Sequence, residues 1–147
     1  MQIIVVKSIM SSKVILLNGC GSSGKTSIAR AIQSQSSEPY LTLGLDTFLH
    51  MLPGDKLDQY MKFMPGQNEF GPTMRVELGE KAQDLLNMMP SFAAQLARNG
   101  HNLVLEVVLF DLASLKAYAE ALAPYDTYYV GGILRFEGDA GEGDFSG

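Results

Sequence analysis

The stretch VILLNGCGSSGKTSIARAIQ, residues 14–33, decides the fold class. It opens with the apolar run Val14–Leu17, which is typical of a buried strand, and continues directly into a glycine-rich segment. That segment, Gly19–Thr26, matches the spacing G-x-x-x-x-G-K-[ST]. Apolar residues at helical spacing follow in Ser27–Gln33, with Ile28, Ala31 and Ile32 on one face. A strand, this loop and a helix in direct succession predict a nucleotide-binding site of the phosphate-loop kind.

Each residue type in the loop has a chemical reason to be there. Glycines let the backbone curl so that its N–H groups point inward at phosphate oxygens, and the following helix adds its positive end. Lys25 supplies a charge to the β- and γ-phosphates, and the hydroxyl of Thr26 suits Mg²⁺. An ordinary glycine-rich turn is the alternative, but it explains neither the lysine nor the spacing. The predicted nucleotide-binding residues are Gly19, Cys20, Gly21, Ser22, Ser23, Gly24, Lys25, Thr26 and Ser27.

The rest of the chain alternates between strand-like and helix-like patterns. This alternation predicts an α/β fold of the P-loop NTPase type, a three-layer sandwich with a central parallel sheet, incomplete at the C-terminus. Two features add detail: Pro90 is expected to kink or divide a long helix, and Pro53–Pro72 is expected to form a long loop with one helical turn. The predicted elements are a strand over Tyr40–Asp46, a helix over Thr47–Leu52, a helix from Thr73 to Asn99, a strand over Leu103–Phe110, a helix over Leu112–Leu122 and a strand over Tyr125–Val130.

Two carboxylates stand out in this arrangement. Asp46 closes the second predicted strand, so in a parallel sheet it would face the same crevice as the phosphate loop. It suits a general base for a substrate hydroxyl, although capping of the next helix explains it equally well. Glu106 interrupts an apolar strand, where a charge needs a partner. It is predicted to help hold Mg²⁺, with a lysine pair or an exposed strand tip as alternatives.

Composition excludes several classes of protein. The 147 residues carry 11 basic and 16 acidic side chains, a net charge of −5, which argues against a nucleic-acid binder. A single cysteine allows no internal disulfide, and neither a signal peptide nor a membrane-spanning run is expected. These features predict a cytoplasmic protein without a membrane partner; whether it forms a homo-oligomer is left open.

The quoted residues also resemble a known family, the chloramphenicol phosphotransferase-like kinases, over about Val14–Gly131. The resemblance rests on the loop, on its spacing from Gly44-Leu45-Asp46-Thr47-Phe48, and on Gly71-Pro72-x-x-Arg75. It implies that Asp46 is the catalytic base and that Lys25 and Thr26 bind ATP and Mg²⁺. Glu106 matches a position where the family tends to carry paired acids, and here the second acid is replaced by valine.

The last residues depart from this pattern. Residues 1–131 are expected to form a P-loop kinase-like domain, truncated relative to the family, and 132–147 an acidic, glycine-rich, disordered tail. We expect a frameshift near Gly132, because suitable codons read one nucleotide later give VYCDLKVMRERE, which resembles the family's next strand and arginine-rich lid. A genuine acidic tail is the alternative, and the gene's nucleotide sequence distinguishes the two.

Two functions follow as expectations. The first is an ATP-dependent phosphotransferase that phosphorylates a hydroxyl of a small molecule, with Asp46 and Lys25 as catalytic residues. The resemblance implies a chloramphenicol-like acceptor without fixing it. The second is a catalytically impaired nucleotide-binding remnant that lacks the arginine lid. Kinases of nucleosides, shikimate or gluconate share the loop, but the substrate-binding arginines that each should show are not found.

Overall fold

The computed structural model describes residues 12–19, 24–109 and 111–131. Four of the predicted nucleotide-binding residues, Cys20, Gly21, Ser22 and Ser23, lie outside these ranges. The predicted tail, residues 132–147, with the expected frameshift also lies outside the described residues. The same is true of Phe110, the last residue of the predicted strand Leu103–Phe110.

Four parallel strands form the central sheet, in the order β2-β5-β1-β6. A separate antiparallel hairpin, β3-β4, lies between the second and third helices in the chain. The predicted α/β class with a parallel sheet flanked by helices is therefore confirmed. The elements are β1 Lys13–Asn18, α1 Lys25–Gln35, β2 Tyr40–Gly44, α2 Leu45–Leu49, a 3₁₀ helix Gly54–Gln59, β3 Met61–Asn68, β4 Gly71–Leu78, α3 Glu80–Arg98, β5 Asn102–Val107, α4 Leu112–Leu122 and β6 Asp126–Val130.

The two faces of the sheet are covered by different helices, because side chains alternate along a strand. On one face, Leu17 and Val104 pack with Ala29 of α1. On the opposite face, Leu103 and Leu105 pack with α3 and α4 in the larger cluster. The central strand β5 is thus buried on both sides, as its continuous apolar run predicts. Within the described ranges, every helix is too short or too polar to cross a membrane.

The helical turn predicted within Pro53–Pro72 is present as the 3₁₀ helix Gly54–Gln59, but the loop predicted after it and the predicted start of the long helix are wrong. Residues 61–78 form the hairpin, and α3 begins only at Glu80. On one hairpin face Phe63 is paired with Val76 and Pro65 with Met74. The other face is polar or small at most positions. The apolar face is largely exposed, with Met74 at 63% and Phe63 at 53%.

Two smaller expectations about helices also need correction. Pro90 is buried inside α3, yet the helix runs unbroken from Glu80 to Arg98, so the proline does not divide it. In α1 the buried contact with the sheet is made by Ala29, with Ile32 packed partly buried beside it, whereas Ile28 is 45% exposed and does not share that contact. The predicted end of α3 is confirmed, with Gly100 following in a left-handed conformation at φ 90°.

Candidate functional site

The carboxyl ends of β1 and β5 define a crevice at one edge of the sheet. These two strands are neighbours, with Asn18 opposite Val107 at the end of their register. The chain leaving β1 continues into α1 on one face of the sheet, and the chain leaving β5 continues into α4 on the opposite face. Neighbouring strands whose connections diverge in this way leave a gap above their ends, where ligands of open α/β sheets bind.

Helix α1 begins at this crevice with a terminus suited to an anion. Gly24 precedes it with φ 82°, a left-handed conformation that favours glycine over any other residue at this point. The first hydrogen bond inside the helix runs from the Ile28 N–H to the Gly24 carbonyl, at 3.1 Å. The N–H groups of Thr26 and Ser27 therefore precede the helix's own ladder, and the first turn holds no acidic side chain. Negative charge is favoured at such an end.

Lys25 lies at the same point, with its side chain folded back along the chain. Its ammonium donates a hydrogen bond to the carbonyl oxygen of Gly19, the first residue of the predicted phosphate-binding set. The Gly19 N–H donates in turn to the Val107 carbonyl of β5, at 3.3 Å. Gly19 is thus bonded to β5 through its N–H, and its carbonyl oxygen accepts a hydrogen bond from Lys25.

The structure brings together the two predicted Mg²⁺ ligands. The Thr26 hydroxyl donates to Oε1 of Glu106 at 2.8 Å. The alternation along β5 explains this contact, because Glu106 lies on the same face as Val104, and that face is covered by α1. The lysine pair considered for this carboxylate is therefore replaced by a hydroxyl from the first turn of α1.

Gly44, the last residue of β2, lies directly beside Glu106. The two residues are partners in the β2–β5 register, and a Cβ built on Gly44 would lie 3.2 Å from both the Cβ and the carbonyl oxygen of Glu106. Contacts this short force the neighbour to shift. Because Gly44 has no side chain, Glu106 can keep the position in which its carboxylate accepts from Thr26.

Asp46 occupies a different element from the one predicted. Strand β2 ends at Gly44, and Asp46 lies in the first turn of α2, where its backbone carbonyl accepts from the His50 N–H at 2.9 Å. Thr47 closes the strand-to-helix turn, since its hydroxyl accepts from the Gly44 N–H at 3.2 Å. The Asp46 side chain is exposed and pairs with none of the described residues.

The position of Asp46 still suits a group acting at the phosphate crevice. Its helix follows the carboxyl end of β2, at the same edge of the sheet as the ends of β1 and β5. β2 and β1 are separated by one strand, so their ends lie about 10 Å apart. This spacing leaves room for a phosphate chain and an acceptor between the loop and Asp46.

Sequence reasoning missed the role of Asn18 at this edge. Its side-chain oxygen accepts from the Leu109 N–H at 2.8 Å, and its side-chain nitrogen lies 3.5 Å from the Leu109 carbonyl oxygen. The only sequence signal was a polar residue at the end of an apolar strand, directly before the loop. That signal does not reveal a partner 91 positions away.

Comparisons with solved structures support the fold. The chain aligns with a chain in the structure of a Pnkp1/Rnl/Hen1 complex at a TM-score of 0.55 and 18% identity, over 86% of this chain and 35% of that chain. At this identity the likeness shows the architecture alone.

Comparisons of sequence identify the family. Two proteins of Mycobacterium tuberculosis strains, each named "Putative O-phosphotransferase", are 48% identical over 46 residues. The match covers 31% of this chain and 20% of each of those proteins. The model of the family described as "chloramphenicol phosphotransferase-like protein" matches residues 12–142. The match extends eleven residues beyond Gly131, where the resemblance was expected to end. This match covers most of the chain, which therefore belongs to the chloramphenicol phosphotransferase-like family.

Proposed function

We propose that this chain is an ATP-dependent phosphotransferase that moves the γ-phosphate of ATP to a hydroxyl of a small molecule. The observation that carries the proposal is the contact between Thr26 and Glu106, 2.8 Å apart beneath the N-terminus of α1. A hydroxyl from the phosphate-binding helix and a carboxylate from the adjacent strand are a donor pair suited to a nucleotide-bound cation. Family membership supports the same class of reaction.

The donor set at this point fits Mg²⁺. Mg²⁺ prefers oxygen ligands and is usually held by one or two protein side chains together with phosphate oxygens and water. Thr26 and Glu106 supply two such oxygens, and the described residues contain no group of three or more His, Cys, Asp or Glu that would form an all-protein cage. When bound, Mg²⁺ would neutralise charge on the β- and γ-phosphates.

The residues divide the remaining work between them. The N–H groups at the start of α1 bind phosphate oxygens, and Lys25 leaves the Gly19 carbonyl to contact the β- and γ-phosphates. Asp46 accepts the proton of the substrate hydroxyl as that oxygen bonds to the γ-phosphorus and the bond to the ADP oxygen breaks. Its exposed carboxylate is available for this proton.

The nucleotide site is tested by thermal unfolding with and without Mg²⁺-ATP. A bound ligand at a hundredfold excess over its Kd stabilises by about 2.7 kcal/mol, and we expect Lys25→Ala to lose this gain. Lys116→Ala is the matched control, because Lys116 is an exposed lysine on α4. Equal stabilisation of all three proteins would remove Lys25 from the site.

The transfer step is tested with a panel of small hydroxylated compounds and ATP. We expect Asp46→Asn to lower turnover by about 10²- to 10⁴-fold, the usual contribution of a general base. Asp84→Asn is the control, since Asp84 is an exposed carboxylate on α3. Transfer that survives Asp46→Asn would refute the assignment of the base. ATP binding without transfer to any compound would instead favour the nucleotide-binding remnant.

A further inference from the structure

Asn18 connects the start of the phosphate loop to the strand that carries Glu106. Its side chain contacts both the N–H and the carbonyl of Leu109, which lies two residues beyond the end of β5. Asn18 itself is the last residue of β1 and directly precedes the loop. One side chain thus fixes the exits of two neighbouring strands relative to each other.

Other contacts involve the backbone of Asn18 and Gly19. The N–H of Gly19 donates to the Val107 carbonyl, and the Gly19 carbonyl accepts from Lys25. On the other side, Gly131 follows β6 with φ 100°, and a Cβ on it would lie 2.1 Å from the backbone oxygen of Asn18. The backbone at positions 18 and 19 is therefore confined by β5 on one side and by the residue that follows β6 on the other.

We infer that Asn18 is a positioning residue for nucleotide binding, an inference that rests on the proposed function. In the proposed function Lys25, which bonds to Gly19, and the Thr26–Glu106 pair bind the same triphosphate, so the relative placement of the ends of β1 and β5 determines the affinity. Asn18 holds that placement through Leu109 without touching the phosphate. Loss of a residue that orients metal ligands without contacting the metal typically lowers the affinity for the metal about 10- to 100-fold.

Asn102 provides a matched control at the opposite end of the same strand pair. Its side-chain oxygen accepts from the Lys13 N–H at 2.9 Å, so it also bridges β5 to β1. Both asparagines are half-buried and both bond to backbone. They differ in lying at the carboxyl and the amino end of the sheet, respectively. Asn18→Leu and Asn102→Leu remove the hydrogen bonds, keep the same branched arrangement of side-chain heavy atoms and add no charge.

The experiment compares the melting temperature and the Kd for Mg²⁺-ATP, by calorimetry, at a temperature where all proteins are folded. We expect both variants to lower the melting temperature, and only Asn18→Leu to raise the Kd, by about tenfold or more. An unchanged Kd in Asn18→Leu would overturn the inference. So would an equal rise in Asn102→Leu, which would show general destabilisation. If Asn18→Leu does not fold, Asn18→Ser is measured in its place, and an unchanged Kd in that variant would overturn the inference.

The outcome for the unmodified protein separates this inference from the proposed function. If it binds no Mg²⁺-ATP, the proposed function fails and the role of Asn18 fails with it. If it binds and Asn18→Leu binds equally well, only the role of Asn18 fails.

Discussion

Removing the Thr26 hydroxyl separates a catalytic role of this residue from a structural one. In Thr26→Ala the bond to Glu106 is lost, and a hydrogen bond to a charged group contributes up to about 3 kcal/mol when buried. Thr26 is exposed, however, which lowers that contribution to about 1 kcal/mol or less. Alanine is also the better helix former by several tenths of a kcal/mol. The net change in unfolding free energy is therefore small, and the melting temperature should move by no more than about 5 °C.

Nucleotide binding should respond much more strongly than stability. The assay is calorimetric titration of ATP with and without Mg²⁺, on the unmodified chain, Thr26→Ala and Thr26→Ser. We expect Thr26→Ala to weaken Mg²⁺-ATP binding at least about tenfold, which corresponds to 1.4 kcal/mol. Binding of metal-free ATP should change little, because the N–H groups of α1 remain. Thr26→Ser retains the hydroxyl and should keep the Mg²⁺ dependence.

One result would refute this reasoning. If Thr26→Ala keeps the same ratio of affinities with and without Mg²⁺ as the unmodified chain, the hydroxyl does not contribute to the cation site. The contact with Glu106 would then serve only to hold α1 against β5.

Three further predictions concern stability. Leu105→Ala removes a core side chain that is 1% exposed and should lower the unfolding free energy by about 2–5 kcal/mol in denaturant titration, whereas Leu112→Ala, at a site 70% exposed, should change it by less than about 0.5 kcal/mol. The pKa of Asp111 is lowered, because its carboxylate accepts a hydrogen bond from the Ser114 N–H at the start of α4. Its stabilising effect is therefore complete above the unfolded pKa near 3.9 and is lost as the pH falls through the lower folded value, so the stability gap to Asp111→Ala should close in acid titrations followed by circular dichroism. Gly24→Ala places a side chain in a left-handed conformation and should lower the melting temperature, while Gly54→Ala, at a glycine without positive φ, should leave it nearly unchanged.

The sequence predicts the elements that are determined locally. The bounds Leu112–Leu122 of α4 are confirmed, and α3 ends where Asn99 and Gly100 predict. Strand β5 is buried on both faces, as its unbroken apolar run indicates. In each of these places the apolar period and the end signals favour the same element, so no tertiary information is needed.

The hairpin was not predicted because the apolar spacing of a strand and that of a helix share one residue, Leu78. Met74, Val76 and Leu78 are apolar at every second position, which is the period of a strand with one apolar face. Leu78 also begins the helical series that continues at Ala82 and Leu85. Assigning it to the helix extends α3 backwards by seven residues, from Glu80 to Thr73. Gly79, which separates β4 from α3, is the only local signal of the boundary.

The candidate site depends on strand order, which no local pattern contains. Glu106 meets Thr26 because β5 lies between β2 and β1, and because its even-numbered side chains face α1. With its register to β1 shifted by one residue, the carboxylate would face α3 instead. The same strand order places one strand between the end of β2, which leads to Asp46, and the end of β1, which leads to the loop; the proposed function needs this spacing for a substrate. The sequence thus supplies the reactive groups, while the topology decides which of them work together.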